Sequence, residues 1–247
     1  MVERPHKYNF PEGEVLLIDK AAEWTSFDAV NKIRHMLRHY LGIRKIKVGH
    51  AGTLDPLASG LLLVCVGKAT KQIPSYTGLD KEYTGTFHIG ATTPSFDSET
   101  EVDKTFDISH ITSSQLLETA RSFIGTIMQT PPAFSAVKIG GTRAYHFARE
   151  KEKIDIPPRQ VTIYEFEICD PSLPEPSFRV LCSKGTYIRT LADDFGRAMG
   201  AGAFLKSLRR TRIGDHSIEQ AVTIPQLEKI LQEMQNSQSG TEYATIQ

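Results

Sequence analysis

Residues 49–66 read Gly49-His50-Ala51-Gly52-Thr53-Leu54-Asp55-Pro56-Leu57-Ala58-Ser59-Gly60-Leu61-Leu62-Leu63-Val64-Cys65-Val66. The second part of this stretch, residues 61–66, is an uninterrupted apolar run, and it predicts a strand that is buried on both faces. The first part contains glycines, a proline and polar groups, so we predict a loop over residues 43–59. A loop that leads directly into a buried strand is anchored by the core at that end.

Asp55 is the residue of this loop that suggests chemistry. Pro56 disfavours helical geometry at the residue before it and favours an extended backbone. An aspartate held in this way beside a buried strand can point into a cleft. Taken alone, the pattern is also typical of an Asp-Pro turn that is capped by its own carboxylate, and the local sequence leaves both interpretations open.

Hydrophobic periodicity on either side of this loop predicts a succession of strands and helices. The predicted strands cover residues 14–19, 82–89, 161–168 and 178–182. The predicted helices cover residues 26–41, with Ser26 as N-cap and Gly42 as stop, then 69–76, 113–123, 187–199 and the region from 222 onward. Residues 130–158, rich in proline, glycine and charge, indicate an excursion from the core with a short helical piece near 145–149. Strands with inserted helices indicate an α+β fold around a mixed, largely antiparallel sheet.

Charge is distributed unevenly along this 247-residue chain of zero net charge. Six lysines and arginines and three histidines, with no acid, lie between residues 32 and 50, and five cations without an acid lie between 197 and 212. Residues 97–107 carry five acids and one lysine. Two basic clusters on a neutral chain are typical of a phosphate-binding face, although basic helices with solvated surfaces give the same pattern.

Several protein classes are disfavoured by the sequence. The chain has no apolar run long enough for a transmembrane helix, and its first residues lack the apolar centre of a signal peptide, so we expect a cytoplasmic protein without membrane contact. The three cysteines, Cys65, Cys169 and Cys182, form no Cys-x-x-Cys pair, and we expect all three to be reduced structural thiols. The sequence indicates no metal site.

A second segment, Cys182-Ser183-Lys184-Gly185-Thr186-Tyr187-Ile188-Arg189-Thr190, also suggests chemistry. A predicted strand stops at Gly185 and a helix begins, which places Tyr187 and Arg189 in or near the first helical turn. A cation in that position opposes the helix dipole, so we expect Arg189 to have a partner. A buried arginine beside a carboxylate would keep the carboxylate ionised and fix its direction. The alternative is a structural salt bridge to any of several acids.

These two segments resemble the active-site motifs of the tRNA pseudouridine synthase B family. The loop at residues 49–62 resembles the catalytic motif through its whole length, and the family's aspartate falls on Asp55. Residues 183–191 resemble the second motif, Lys81-Glu82-Tyr83 the segment with the active-site tyrosine, and Leu208-Arg209-Arg210 the segment that closes the uracil pocket with a leucine. Residues 129–138 and 141–149 resemble a mobile thumb that grips RNA. The resemblance extends from about residue 13 to residue 212.

The resemblance implies a pseudouridine synthase fold and an enzyme that isomerises uridine to pseudouridine at position 55, in the T-loop of tRNA, after the base is flipped out. The reaction breaks the N1–C1′ bond, turns the uracil and rejoins it through C5, so it needs no cofactor and no metal. Asp55 is the implied catalytic residue, which would attack C1′, attack C6 or remove the 2′ proton. The implied substrate-binding residues are His50, Tyr83, Tyr187, Arg189 and Leu208, with Arg189 paired with Asp55.

Domain organisation and partners are also expected from the resemblance. We expect a catalytic domain at residues 1–212, with a thumb-like insertion at about 130–158, and a helical extension with a polar tail at 213–247 instead of a full RNA-binding domain of the PUA type. Two departures from the family pattern are Ala21, where a proline is usual, and Thr100, where a glycine is usual. The expected partner is the T-arm of tRNA, bound by a monomer without an obligatory protein partner. The candidate phosphate contacts are Arg34, Arg38, Lys45, Lys47, Arg209 and Arg210.

Three alternative functions stay open from the sequence. The chain could be an RNA-binding protein that helps tRNA to fold, with little or no turnover. It could be a hydrolase with Asp55 as nucleophile, although a glycosidase normally needs a second carboxylate and the motifs contain none. It could also perform the same isomerisation on another RNA.

Overall fold

The computed structural model describes residues 8–135, 138–149 and 155–243. The strands are β1 Glu14–Lys20, β2 Val48–Ala51, β3 Ser59–Val66, β4 Lys81–Ile89, β5 Ala91–Thr92, β6 Lys104–Thr105, β7 Gly125–Gln129, β8 Lys138–Ile139, β9 Thr142–Arg143, β10 Arg159–Asp170, β11 Ser177–Cys182, β12 Ala203–Ile213, β13 His216–Ser217 and β14 Val222–Thr223. The helices are α1 Ser26–Leu41, α2 Ile73–Thr77, α3 Ser113–Ser122, α4 Ala144–Arg149, α5 Ile188–Ala198 and α6 Ile224–Tyr243.

The chain divides into two compact units. The first unit extends to Leu79 and resumes at Arg210, and the second unit is Asp80–Arg209, so the division falls within β12. Strand β1 pairs with β14 in parallel, whereas the pairs β1–β3, β2–β3, β4–β11, β10–β11 and β7–β10 are antiparallel. The predicted α+β class, with a mixed and largely antiparallel sheet flanked by helices, is confirmed.

Strand β3 lies at the centre of the first unit. Leu62, Val64 and Val66 face a core that is closed by helices α1 and α6, while Leu61 and Leu63 belong to a second apolar cluster. All five side chains are fully buried. The prediction of a strand with two buried faces is therefore confirmed, and the strand begins slightly earlier than predicted, at Ser59.

Helix α1 begins with a capping box, and its N-cap lies one residue before the predicted one. The N-cap is Thr25, whose hydroxyl accepts a hydrogen bond from the Asp28 backbone N at 3.0 Å, while the Asp28 carboxylate accepts one from the Thr25 backbone N at 2.9 Å. The prediction of Ser26 as N-cap is wrong, because Ser26 is the first helical residue and is buried. Gly42, at φ 64°, ends the helix as predicted, since it adopts the left-handed conformation that glycine tolerates.

The predicted loop over residues 43–59 is only partly correct. Strand β2 lies within it and pairs with β3, with His50 opposite Val64. This short strand is defined by its backbone hydrogen bonds to β3. Its side chains, which include a glycine and a histidine, do not show the pattern that is typical of a strand. The functional consequence is that the Asp55 loop is anchored by a strand at each end.

Helix α6 is an integral part of the first unit. Leu227 and Leu231 are fully buried in the core against α1. At the edge of this contact Glu228 accepts hydrogen bonds from Lys32 at 3.2 Å and from the Tyr40 hydroxyl at 3.0 Å. The predicted last helix is confirmed, after the short strand β14. Across the described residues, none of the helices is both long enough and apolar enough to span a bilayer.

The second unit is organised by aromatic packing between its sheet and helix α5. Phe195 of α5 lies 5.4 Å from Phe87 of β4 and 5.6 Å from Phe166 of β10, and Phe87 stacks on Phe178 of β11 at 4.1 Å, measured between ring centroids. Burial of such rings contributes much of a core's stability. This cluster fixes α5 on the sheet and thereby places the start of the helix, where Tyr187 and Arg189 lie.

Strands β7 and β12 were not predicted, and the reason for β12 is visible in its burial. Ala203, Phe204 and Leu205 are buried in succession, and further along the strand Arg210 is buried as well. The pattern therefore lacks the alternation of apolar and polar residues from which a strand is recognised. The basic stretch before residue 212, interpreted from sequence as a solvated or phosphate-binding face, is in fact largely this strand.

Residues 130–158 leave and rejoin the sheet of the second unit at one point. Gln129, the last residue of β7, pairs with Arg159, the first residue of β10. Between them, the described residues include the hairpin β8–β9, which turns at Gly140 and Gly141 with φ 57° and 89°, and helix α4. The predicted short helix near residues 145–149 is confirmed at Ala144–Arg149.

The cysteines are all free thiols, but only two are structural. Burial raises the pKa of Cys65 to about 11 and that of Cys182 to about 12, so both stay protonated at neutral pH. Cys169 is a free thiol as expected but is exposed, so its prediction as a structural thiol is wrong.

Candidate active site

The Asp55 loop is held in the first unit by Ser26. The Ser26 hydroxyl donates to the Leu54 carbonyl at 3.1 Å and accepts from the Leu54 backbone N at 2.9 Å, and it is buried together with Leu54. The Asp55 carbonyl accepts from the Ala58 backbone N at 3.1 Å, which closes a turn after Asp55. The Asp55 residue itself is half-buried. These backbone bonds fix the direction of Asp55 without engaging its carboxylate.

Arg210 braces the same loop from inside the first unit. Its side chain is 1% exposed, and its guanidinium donates to the carbonyls of Leu61 at 2.8 Å, Gly52 at 3.0 Å and Thr53 at 3.5 Å. Gly60 is required beside it, because a Cβ there would clash with the Arg210 carbonyl and Gly60 has a φ of 103°. The prediction of Arg210 as a phosphate contact is therefore wrong, since a buried guanidinium that bonds to backbone carbonyls is not available to RNA.

Lys20 is the second buried cation near Asp55. It is 1% exposed, and its ammonium donates to the carbonyls of Trp24 at 2.6 Å, Ala21 at 2.9 Å and Pro56 at 3.4 Å. Burial lowers its pKa to about 8, and the Asp55 carboxylate opposes this shift. Lys20 thus ties the turn after β1 to the residue that follows Asp55, and it adds positive charge to the surroundings of the carboxylate.

Lys20 should give the folding stability a characteristic dependence on pH. Unfolded protein keeps the Lys20 proton up to a pKa near 10.5, whereas folded protein releases it near 8. Between these values the unfolded state binds more protons, so the cost of burying the ammonium is present below pH 8 and is relieved as pH rises. We expect the free energy of unfolding of the wild type, relative to Lys20→Met, to increase from pH 8 to pH 10 in urea titrations. A difference that is constant over this range would contradict the assignment.

His50 lies on β2, in the same unit as Asp55. Its pKa is lowered, first by burial and then by the positive charge of Arg210, so the neutral imidazole is favoured. Its Nδ1 atom is buried and makes no hydrogen bond within the part of the chain that the structure describes.

Arg189 and Asp97 form a buried ion pair in the second unit. The guanidinium Nε lies 3.5 Å from an Asp97 carboxylate oxygen, and the two side chains are 5% and 8% exposed. The other nitrogens of Arg189 donate to the carbonyls of Phe134 at 2.9 Å and Ser95 at 3.4 Å. The expectation that Arg189 has a carboxylate partner is met by Asp97, and the expected pairing of Arg189 with Asp55 stays a prediction.

Tyr187 is the N-cap of helix α5 and is held by a buried glutamine. The Gln129 side chain, 1% exposed, donates to the Tyr187 carbonyl at 3.0 Å and accepts from the Tyr187 backbone N at 2.7 Å. The Arg159 guanidinium lies over the Tyr187 ring, 4.7 Å from its centroid. Both the backbone and the ring of Tyr187 are therefore fixed within the second unit.

Tyr83 and Leu208 lie on neighbouring strands of the second unit. Tyr83 is on β4, opposite Val180 of β11, and is 9% exposed. Leu208 is half-buried on β12, the other neighbour of β4. The two strands approach closely at Gly85, where a Cβ would clash with the Ser207 carbonyl, so only glycine fits there.

The predicted site residues are divided between the two units. Asp55 and His50 belong to the first unit, and Tyr83, Tyr187, Arg189 and Leu208 belong to the second. Their roles in binding and catalysis stay predictions. Among the other candidate phosphate contacts, Arg34, Arg38, Lys45 and Lys47 are exposed, and Arg209 is half-buried.

Comparison with known proteins shows what this chain resembles. Residues 38–188 match the TruB family pseudouridylate synthase N-terminal domain, and residues 189–244 match the tRNA pseudouridylate synthase B C-terminal domain. The chain belongs to the TruB family of pseudouridylate synthases. A TruB relative from Flavobacterium johnsoniae, named tRNA pseudouridine synthase B, is 56% identical over 90% of this chain and 97% of its own length. One of the same name from Chloroherpeton thalassium is 48% identical over 93% and 95%.

Solved structures confirm the predicted pseudouridine synthase fold of this TruB chain. A chain in the crystal structure of a Cbf5–Nop10–Gar1 complex matches with a TM-score of 0.66 and 28% identity over 89% of this chain. A chain in an archaeal box H/ACA sRNP Nop10–Cbf5 complex matches with 0.66 and 26% over 93%. This chain spans 54% and 57% of those two chains, so it corresponds to little more than half of their length.

The sequence interpretation missed the structural roles of five residues around the predicted site residues. They are Lys20, Ser26, Asp97, Gln129 and Arg210. Asp97 was counted only as part of an acidic segment, and Arg210 as part of a basic one, because burial of a charged side chain leaves no local signal. Ser26 was read only as a cap, although the pattern Thr25-Ser26-Phe27-Asp28 contains the Thr-x-x-Asp spacing of a capping box that starts at Thr25.

Proposed function

We propose that this TruB-family chain isomerises uridine to pseudouridine at position 55, in the T-loop of tRNA, with Asp55 as the catalytic carboxylate. The observation that chiefly supports the proposal is the braced loop around Asp55, in a chain that belongs to a family of pseudouridylate synthases. Ser26, Lys20 and Arg210 hold this loop by its backbone, and such fixed placement of a reacting group is a large part of catalytic power.

The reaction exchanges one glycosidic bond for another. The N1–C1′ bond breaks, the uracil turns, a C5–C1′ bond forms, the proton on C5 leaves and N1 takes up a proton, so no atom is gained or lost. Asp55 would attack C1′, attack C6 or remove the 2′ proton, and each of these steps needs an anionic carboxylate at the sugar or base. The two buried cations of the first unit, Lys20 and Arg210, add positive charge to the environment in which that anion works.

The residues of the second unit are suited to bind an extruded base. Base flipping costs a few kcal/mol, and stacking of a base on an aromatic ring returns about 1–3 kcal/mol. In the proposal Tyr83 stacks on the uracil, Tyr187 lines the pocket and Leu208 supplies an apolar wall. Arg189 pairs with Asp55 in addition to Asp97, and His50 contacts loop nucleotides or fills the space that the base leaves.

RNA binding outside the pocket is assigned to exposed cations of the first unit. Arg34, Arg38, Lys45 and Lys47 lie on and after helix α1, and contacts from such residues to phosphates give salt-sensitive affinity without sequence specificity. Specificity would then come from the folded shape of the T-loop. The segment at residues 130–158 is proposed as the thumb that grips the RNA. The proposal includes a cytoplasmic enzyme that acts as a monomer without a protein partner.

A map of pseudouridines in total RNA tests the proposed substrate. In cells that lack this protein we expect pseudouridine to be lost at the T-loop position alone, and to return when the gene is restored. Loss at other positions with the T-loop intact would refute the substrate assignment. Binding of tRNA by the purified wild type without pseudouridine formation would favour the RNA-folding alternative, and release of free uracil would favour a hydrolase.

A further inference from the structure

Gln129 joins the root of the 130–158 segment to helix α5. It is the last residue of β7, is almost completely buried, and uses both ends of its amide on the backbone of Tyr187. Tyr187 has no side-chain cap of its own, and its carbonyl also accepts the Leu191 backbone N at 3.0 Å, the first bond of the helix. Gln129 therefore acts as a helix cap supplied by another strand, since it pairs the Tyr187 backbone N–H and adds a second hydrogen bond to the Tyr187 carbonyl.

Arg159 holds the ring of the same tyrosine. It is the first residue of β10, and it pairs with Gln129 across the two strands. Its guanidinium lies 4.7 Å from the centroid of the Tyr187 ring and also donates to the Gly185 carbonyl. A guanidinium over an aromatic face gives a directional attraction that restricts the ring. Gln129 and Arg159, which are paired on adjacent strands, thus fix the backbone and the ring of Tyr187, respectively.

The same root is connected to the residues that follow Tyr187. The Thr190 hydroxyl donates to the Thr130 carbonyl at 3.2 Å, and Arg189 donates to the Phe134 carbonyl at 2.9 Å. Thr130 and Phe134 are the first part of the segment after Gln129. The start of α5 is therefore hydrogen-bonded at three positions, by Tyr187 to the last residue of β7 and by Arg189 and Thr190 to the beginning of the proposed thumb.

We propose that Gln129 and Arg159 are positioning residues, which set Tyr187 in the base pocket from the root of the proposed thumb. Neither residue needs to touch the RNA. Gln129 fixes where the Tyr187 backbone lies, and Arg159 fixes how its ring is turned. The inference rests on the proposed function, in which Tyr187 lines the pocket of the flipped uracil. It predicts that changes at this strand pair alter the rearrangement step more than they alter RNA affinity.

The test uses the full chain and a short T-arm stem-loop RNA. Gln129→Met keeps the size of the side chain and removes both hydrogen bonds. We expect it to lower the single-turnover rate of pseudouridine formation by about tenfold or more, the size that corresponds to one lost hydrogen bond at the transition state. The Kd for RNA should change by less than about threefold, because phosphate contacts dominate it.

Gln160→Met is the matched control. Gln160 follows Arg159 on β10, is exposed, and pairs with Met128 in the adjacent register position, so the same substitution is made beside the strand pair without touching Tyr187. It should leave both rate and Kd at the wild-type values. A Gln129→Met rate equal to that of Gln160→Met, or a loss that appears only in Kd, overturns the proposal.

A coupling experiment separates positioning from general stability. Arg159→Met should lower the single-turnover rate in the wild-type background but add nothing in a Tyr187→Leu background, because residues in contact give non-additive effects. Equal effects in both backgrounds overturn the role of Arg159. If Gln129→Met fails to fold, Gln129→Glu replaces it. That variant keeps the acceptor for the Tyr187 N–H and loses the donor to its carbonyl, so a wild-type rate overturns the role of Gln129.

The measurement on the wild-type protein separates a failure of this inference from a failure of the proposed function. A wild type that leaves the T-arm RNA unmodified refutes the proposed substrate. The comparison of Gln129→Met with Gln160→Met is then made on total cellular RNA, where the same rate difference supports the positioning role and its absence overturns it.

Discussion

Asp55→Asn is expected to reduce pseudouridine formation by at least about four orders of magnitude, as removal of an essential nucleophile or base does in other enzymes. The amide has the shape of the carboxylate but no negative charge at neutral pH. The bonds that hold the loop, from Ser26 to Leu54 and from Ala58 to the Asp55 carbonyl, use the backbone and stay in place. The rate of the chemical step should therefore fall while the folded structure is kept.

The measurement is the single-turnover rate on tRNA, with RNA affinity and thermal unfolding measured on the same preparations. Asp215→Asn is the matched control, since Asp215 is an exposed aspartate of the same unit and the same isosteric change is made. It should retain the wild-type rate. Retention of that rate by Asp55→Asn as well would show that Asp55 is not the catalytic carboxylate.

Asp55→Glu tests whether the position of the carboxylate, as well as its charge, determines the rate. The carboxylate is kept but displaced by one methylene on a loop that Ser26 and Arg210 prevent from moving. A displacement of about 1 Å can cost about a hundredfold in rate, so we expect Asp55→Glu to be impaired by roughly that factor. An active Asp55→Glu enzyme would indicate that the loop is less rigid than its hydrogen bonds imply.

Arg189→Met is expected to have the second-largest effect, because it leaves the Asp97 carboxylate buried without its ion-pair partner. Breaking a buried ion pair by removal of one partner costs about 3–5 kcal/mol of folding stability. The pair lies 3.5 Å apart, with side chains only 5% and 8% exposed, so solvent screening does not reduce the cost. The variant also loses the hydrogen bonds to Ser95 and Phe134, and the proposed electrostatic role predicts a rate loss of about a hundredfold or more.

Urea unfolding of three variants checks this expectation. Arg121→Met makes the same change at an exposed arginine of the second unit, at the end of helix α3, and should change stability by less than about 1 kcal/mol. Adding Asp97→Asn to Arg189→Met removes the uncompensated charge and should recover part of the loss. Equal stability of Arg189→Met and Arg121→Met would mean that the buried pair contributes nothing to the fold.

The predicted elements that agree with the structure are those with a strong local signal. The apolar run of β3 and the amphipathic helix α1 with its glycine stop are both confirmed. Their patterns depend on neighbouring residues in the chain, since backbone periodicity alone decides which side chains share a face. The missed strands β7 and β12 depend on partners that are distant in sequence, β10 and β4, whereas the missed strand β2 pairs with the next strand along the chain.

The candidate site likewise contains residues that a local sequence pattern identifies and residues that it does not. Asp55, Tyr187 and Arg189 were identified because they lie in long motifs of contiguous residues. Asp97 is 92 positions before its partner Arg189, and Arg210 is 149 positions after Leu61, whose carbonyl it binds. No pattern of neighbouring residues in the sequence indicates such pairs. The type of a residue does not show whether its side chain is buried. Only the folded structure distinguishes the buried cation Arg210 from the exposed cation Lys45.

By itself, the sequence determined the α+β class, the order of the main elements, and the two motifs that carry Asp55 and Arg189. These follow from local periodicity and from contiguous residues. The tertiary structure alone decided how the motifs are held: Lys20, Ser26 and Arg210 around the Asp55 loop, Asp97 beside Arg189, and the pair Gln129–Arg159 around Tyr187. The physical reason is that burial and hydrogen bonding between distant residues arise only when the chain has folded, and these interactions hold the Asp55 loop, Arg189 and Tyr187 in place.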